Sequence, residues 1–190
     1  MNTLLSISAK ICQFDTKLYL KEKYKHPVIS SLLIIIVFFI SGSLVLAEAQ
    51  QNKIDSLTRI ANASTSDSLK IDTFHQLFKL SYQNDLNASL KYIKEGLSIA
   101  KRAKSEKGSS LLIHDLGVFY WCTDKYDSAL ICFNKRLEYS IKLKDSLAMA
   151  GAWDNIGAIF IQQGSLEKGI EYRQKANRIY LSHNEKTLLA

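Results

Sequence analysis

The chain has 190 residues and a formal net charge of +7. This basic balance does not indicate a nucleic-acid-binding protein, because part of the excess lies in the first 27 residues and the remainder is spread along predicted helices without interleaved aromatic residues. The three cysteines form no CxxC pair, which argues against a zinc or dithiol site.

Residues 1–27 form a basic leader that contains five lysines. Residues 28–47 follow without a charged side chain, and as a helix they would span about 30 Å, the thickness of a hydrocarbon core. The lysines before this run predict that the leader stays cytoplasmic and that the rest of the chain crosses the membrane. The expected location is therefore periplasmic or extracellular.

Two interpretations of residues 28–49 stay open. In the first, they are a secretory signal, because Ala47-Glu48-Ala49 is a small-x-small site for cleavage before Gln50. In the second, residues 28–47 are kept as a single transmembrane anchor, which the long leader favours. Both place the following domain outside the cytoplasm.

Residues 50–66 are predicted to form a capping helix and its loop, since Ile54, Leu57 and Ala61 recur at helical spacing. Asp67 or Ser68 is expected to cap the helix that follows.

From residue 67 to residue 190 the sequence repeats with a period of forty. Leu116-Gly117 recurs as Ile156-Gly157, and Ala129-Leu130 recurs as Gly169-Ile170. Such a period predicts stacked repeats, with units at about 67–108, 109–148 and 149–185 and the start of a further repeat after them. The first unit matches only if its turn is one residue shorter.

Each unit is predicted to be an antiparallel helical hairpin. Gly164 and Ser165 mark the turn of the third one, as a helix end and the next N-cap. Gly157 and Gly169 are expected to allow close approach of the two helices, as are Gly117 and Ala129.

This pattern resembles the tetratricopeptide repeat. The motif is matched by Trp153, Ile156-Gly157, Phe160, Gly169 and Ala176 in the third unit, and by Leu116-Gly117, Tyr120, Ala129 and Phe133 in the second, where Arg136 replaces a small residue. The resemblance implies an all-α fold, a right-handed α-α superhelix of about three hairpins, here placed after an N-terminal hydrophobic helix.

In the resembled family the first helix of each hairpin lines a concave groove that binds protein or peptide partners. Carried over by position, the partner-binding residues are His75, Tyr82, His114, Val118, Trp121, Asp154, Ala158 and Ile161. For Trp121 a purely structural role, covering a hairpin turn, is the alternative. His75, His114 and Asp154 form a column across the units, but three ligands without a fourth do not predict a metal site.

No set of acid, base and nucleophile is found, so neither an enzyme nor a cofactor is predicted. The sequence instead predicts an extracytoplasmic interaction module. The alternative is the truncated sensory region of a membrane-bound signalling protein, of the histidine kinase or transcriptional regulator type, which such exported arrays resemble. An uncapped C-terminal edge suggests self-association.

Overall fold

The computed structural model describes Ile36 and residues 48–188. The predictions of a basic leader and of an apolar membrane run fall outside these residues, Ile36 excepted, and cleavage after Ala49 stays a prediction. Among the helices formed by the described residues, none is long and apolar enough to cross a lipid bilayer.

All regular structure in the described residues is helical, which confirms the all-α prediction. Residues 48–63 form α1. Six further helices follow as three hairpins: α2 (Asp67–Ser81) with α3 (Leu86–Arg102), α4 (Glu106–Cys122) with α5 (Tyr126–Lys142), and α6 (Ser146–Gln162) with α7 (Leu166–Leu188).

The first hairpin is one residue shorter than the others, as the repeat alignment predicts. Its helices begin at residues 67 and 86, whereas those of the second begin at 106 and 126 and those of the third at 146 and 166. The N-cap of α2 is Ser66, whose side chain accepts a hydrogen bond from the Leu69 N–H. The prediction of Asp67 or Ser68 as the cap was therefore wrong; both lie within the first turn.

Four turns repeat one geometry every twenty residues. Lys104, Asp124, Lys144 and Gly164 all have positive φ, between 52° and 82°. After each of them, the next N–H donates to a carbonyl five residues earlier, as from Ser105 to Ala100 and from Ser165 to Phe160. This is the Schellman arrangement that satisfies the last carbonyl groups of a helix. Gly164 ends α6 with a positive φ and Ser165 directly precedes α7, as predicted for this turn.

The core runs as separate clusters that join one hairpin to the next. Ile71 and Ala100 of the first hairpin pack with Leu112 of the second. Phe133 of the second packs with Ile156 and Ile159 of the third. Each hairpin thus buries its apolar face against a neighbour, which is how a solenoid gains its stability.

The small residues set the distance between the two helices of a hairpin. A Cβ atom added at Gly157 would lie 2.8 Å from the Gly169 carbonyl oxygen, and one added at Gly169 would lie 2.4 Å from Ile161 Cγ1. At Gly117 it would lie 2.6 Å from Phe133 Cε1. The predicted close approach at these glycines is confirmed.

We expect Gly157→Ala to lower the free energy of unfolding by about 1–3 kcal/mol, because the added methyl group meets a backbone oxygen that cannot turn aside. Gly151→Ala on the same helix is the matched control. Its Cβ would lie 3.6 Å from the nearest atom, Arg136 Nη2, so the change should raise stability by up to about 1 kcal/mol through helix propensity. Urea unfolding of both variants measures the difference, and equal effects would contradict the packing described.

Candidate functional site

The eight predicted groove residues lie on the first helices of the three hairpins: His75 and Tyr82 at α2, His114, Val118 and Trp121 on α4, and Asp154, Ala158 and Ile161 on α6. Every one of them is partly exposed and partly packed. We call this surface the first-helix face. Side chains of this kind are held in place by the fold and can still contact a partner.

The two histidines of this face meet on a buried acid. His75 Nδ1 lies 2.7 Å from Asp115 Oδ2, and His114 Nδ1 lies 3.3 Å from Asp115 Oδ1. The Asp115 side chain is 1% exposed, against 23% for His75 and 25% for His114. A carboxylate accepts from both rings if each carries its proton on Nδ1. This contact ties the first hairpin to the second.

His114 lies in a site that disfavours the imidazolium form. Burial lowers its pKa below 6.5, and the positive charge of Arg136 acts in the same direction. The hydrogen bond to Asp115 opposes the shift without cancelling it. Above pH 6.5 the ring is therefore neutral.

Asp154 does not join the two histidines. Its Oδ1 accepts a hydrogen bond from Arg173 Nε of α7 at 3.1 Å, and both side chains are about half exposed. The column of His75, His114 and Asp154 is thus divided between two polar clusters. In the part of the chain that the structure describes, no group of three His, Cys, Asp or Glu side chains is placed to hold a metal ion.

Trp121 links the second hairpin to the third. Its Nε1–H donates to Gln162 Oε1 at 2.7 Å. Gln162 Nε2 donates to the Tyr126 hydroxyl at 2.8 Å, and that hydroxyl donates to Asp124 Oδ1 at 2.7 Å. The indole also packs beside the cluster of Phe133 and Ile156. These contacts fit the structural role considered above, while the exposed part of the ring stays available to a partner.

The remaining face residues are chiefly apolar. Tyr82 stacks on Phe78, with 5.3 Å between ring centroids. Val118 packs against two core clusters, and Ile161 lies against Gly169. Tyr82, Trp121 and Ile161 each lie about two helical turns after His75, His114 and Asp154 on the same helices. The face therefore has an apolar row beside a polar row.

Two residues that organise this face were not predicted to belong to it: Asp115 and Arg136. Gln162, the partner of Trp121, directly follows Ile161 at a position that lines the groove in the resembled family. Asp115 stands exactly one period after His75, and that spacing was the signal in the sequence that could have paired them. Arg136 was recognised as an unusual residue of the repeat, but the sequence does not show where its side chain goes.

The shift at His114 predicts a pH dependence of stability. The unfolded chain protonates this ring near pH 6.5, whereas the folded chain does so only at lower pH. The contribution is complete above pH 6.5 and is lost as the pH falls through the folded pKa, because the unfolded state then binds more protons.

We therefore expect the free energy of unfolding to fall between pH 7 and pH 5, and to fall less in His114→Asn, whose amide can still donate to Asp115. Denaturant unfolding at a series of pH values measures both. Identical slopes for the native chain and His114→Asn would contradict the shift.

A scan against protein-family models and a search of curated proteins find no match. Among solved structures, BtubC from P. vanneervenii is similar with a TM-score of 0.60 at 19% identity, over 73% of this chain and 57% of that chain. A signal transduction ATPase with numerous domains from Pyrococcus horikoshii, which has a tetratricopeptide repeat sensor, is similar with a TM-score of 0.60 at 17% identity, over 75% of this chain and 23% of that chain. MamA is similar with a TM-score of 0.54 at 15% identity, over 90% of this chain and 87% of that chain.

The chain thus spans less than two thirds of the first two proteins. At these identities the likeness concerns the fold alone. It confirms the part of the implied fold that concerns the repeats: the described residues form a tetratricopeptide-like array of helical hairpins.

Proposed function

We propose that this protein is an extracytoplasmic interaction module that binds a peptide or protein segment along the first-helix face and has no catalytic activity of its own. The observation that carries the proposal is the exposure of the eight face residues and the hydrogen bonds that orient the polar ones. All of them are partly exposed, and the polar ones are already oriented by hydrogen bonds within the protein.

Preorganised side chains favour binding because little conformational freedom is lost when a partner docks. Trp121 is held by Gln162 and His75 by Asp115. Tyr82 and Ile161 add apolar surface. Aromatic side chains in such positions are frequent anchors of protein interfaces, and a superhelical array of the right-handed sense implied by the motif would present them along one curved surface.

The extracytoplasmic location is supported by the charge-free residues 28–47 and the lysines that precede them. Anchored and cleaved forms both agree with this proposal.

Self-association is a further part of the proposed function. On α7 Leu166, Ile170 and Leu181 are exposed, with exposures of 57%, 44% and 55%, and a second copy would cover them.

The second candidate function is the sensory region of a membrane-bound signalling protein, with a kinase or transcriptional regulator as its output. It is favoured by one similar structure, the ATPase that has a tetratricopeptide repeat sensor. That ATPase is much longer than the matched region, so this candidate requires an output domain supplied by further sequence or by another chain.

Site-specific photocrosslinking tests the binding face. With benzoylphenylalanine at Tyr82 or at Trp121, we expect both positions to capture the same partner in the producing cells. Ile131 on α5, which is 71% exposed, is the matched control and should capture none. Equal capture from Ile131, or none from the first-helix face, would contradict the proposal.

Cysteine labelling tests the location. Cys122 is exposed and Cys132 is buried. Burial raises the pKa of both thiols, that of Cys132 to about 11. A membrane-impermeant maleimide should therefore modify Cys122 in intact cells, since the thiolate is the reactive form. Cys122→Ser should abolish this signal. Labelling of Cys122 only after the cells are broken open would show that the repeats are inside.

A further inference from the structure

Arg136 occupies a position that is small in the other two hairpins. Forty residues earlier stands Gly96 and forty residues later stands Ala176, and both are buried. A large charged side chain replaces them only in the second hairpin. This difference between otherwise matching units needs a physical explanation.

The neighbouring helix provides room for the longer side chain. In the first hairpin, a Cβ atom at Gly96 would lie 2.7 Å from Leu112 Cδ1. The residue one period after Leu112 is Ala152, and the one before it on α6 is Gly151. A Cβ atom added at Gly151 would lie 3.6 Å from Nη2 and 3.7 Å from Nη1, the two terminal nitrogens of Arg136. The arginine therefore fills the space that small residues of α6 leave beside α5.

The charges of Asp115 and Asp145 favour the protonated guanidinium of Arg136, but neither acid forms an ion pair with it. Its Nε is buried without a hydrogen bond, and Arg136 takes part in none of their ion pairs. The two nearest acids are engaged elsewhere: Asp115 with the histidines, and Asp145 Oδ1 with the Ala148 N–H at 2.9 Å. Burial lowers the pKa of Arg136, yet a guanidinium stays protonated at neutral pH. An unpaired, partly desolvated cation is costly to keep.

The same guanidinium lines a cleft that opens to solvent. The cleft is bounded by α2, α4, α5 and the start of α6. Ile71, Leu111 and Leu143 form an apolar wall, and Lys107 is a second cation. Asp72 and Asp145 also line the cleft, so its charge is mixed, and Arg136 is the member whose guanidinium forms no ion pair with the described residues.

This cleft continues the first-helix face. Asp72 and Leu111 stand one helical turn before His75 and His114, on the same sides of α2 and α4. A segment bound along the face would therefore pass the Arg136 cleft.

We propose that the cleft binds the carboxylate of an aspartate or glutamate side chain in the partner segment, with the guanidinium as the donor and the apolar wall receiving a neighbouring side chain. This rests on the proposed function and specifies the chemistry of the partner. A guanidinium matches a carboxylate with two parallel N–H···O bonds, which gives orientation as well as affinity.

Selection from a library of random linear peptides, displayed on phage and panned on the full 190-residue chain in mild detergent, tests the inference. We expect the selected peptides to share an acidic residue at one fixed position beside an apolar one. Exchanging that residue for Gln or Asn in a synthetic peptide should weaken binding about tenfold or more, as should Arg136→Met. The two changes together should cost little more than either alone.

Two protein variants serve as controls. Lys107→Met removes the other cation of the cleft and should have a smaller effect, because its exposed ammonium group keeps its water. Arg136→Lys retains the charge without the planar fork and should bind more weakly than the native chain. The peptide exchange leaves the protein unchanged, so the inference can be judged even if Arg136→Met does not fold.

The outcomes separate the two proposals. If no peptide binds the native chain, the proposed function fails. If peptides bind but share no acidic position, or bind Arg136→Met equally well, the function stands and this inference is overturned. It is also overturned if acetate or inorganic phosphate binds at Arg136 while the selected peptides do not compete with it.

Discussion

The close contact between the two helices of each hairpin is the constraint on which the remaining structure depends. Where Gly157 faces Gly169, the backbones approach until a single methyl group would collide with a carbonyl oxygen. That approach fixes the angle and depth of α6 against α7, and hence where the side chains of α6 emerge. Asp154 and Ile161 are partly exposed because the glycines beside them hold the helix in that orientation.

The hairpins are joined to each other by two kinds of contact. Apolar clusters supply most of the buried surface and little directionality. The polar links, His75 with Asp115 and Trp121 with Gln162, fix which side chains meet. Both links lie between first helices, so the surface proposed to receive a partner is also the surface along which neighbouring hairpins are tied.

The sequence was a good guide to the fold because its information is periodic. The forty-residue spacing identified the hairpins, the one-residue shift between the helices of the first hairpin and the glycines at close contacts. It was a poorer guide to the polar groups of the site, because a helical pattern predicts a face but not the atom that a side chain reaches. Asp115 lies within a predicted helix, and its helical position does not show that its carboxylate is buried between two histidines. The path of Arg136 depends on Gly151 and Ala152, which belong to the next hairpin.

The exchange at position 136 also makes the three hairpins non-equivalent. An idealised array, built with the residue pair of the first hairpin in every unit, would put a small side chain there and a leucine such as Leu112 opposite it. Such an idealised array would fold from more uniform units and lose the charged cleft. The charged cleft therefore exists because the second hairpin differs from its neighbours at position 136.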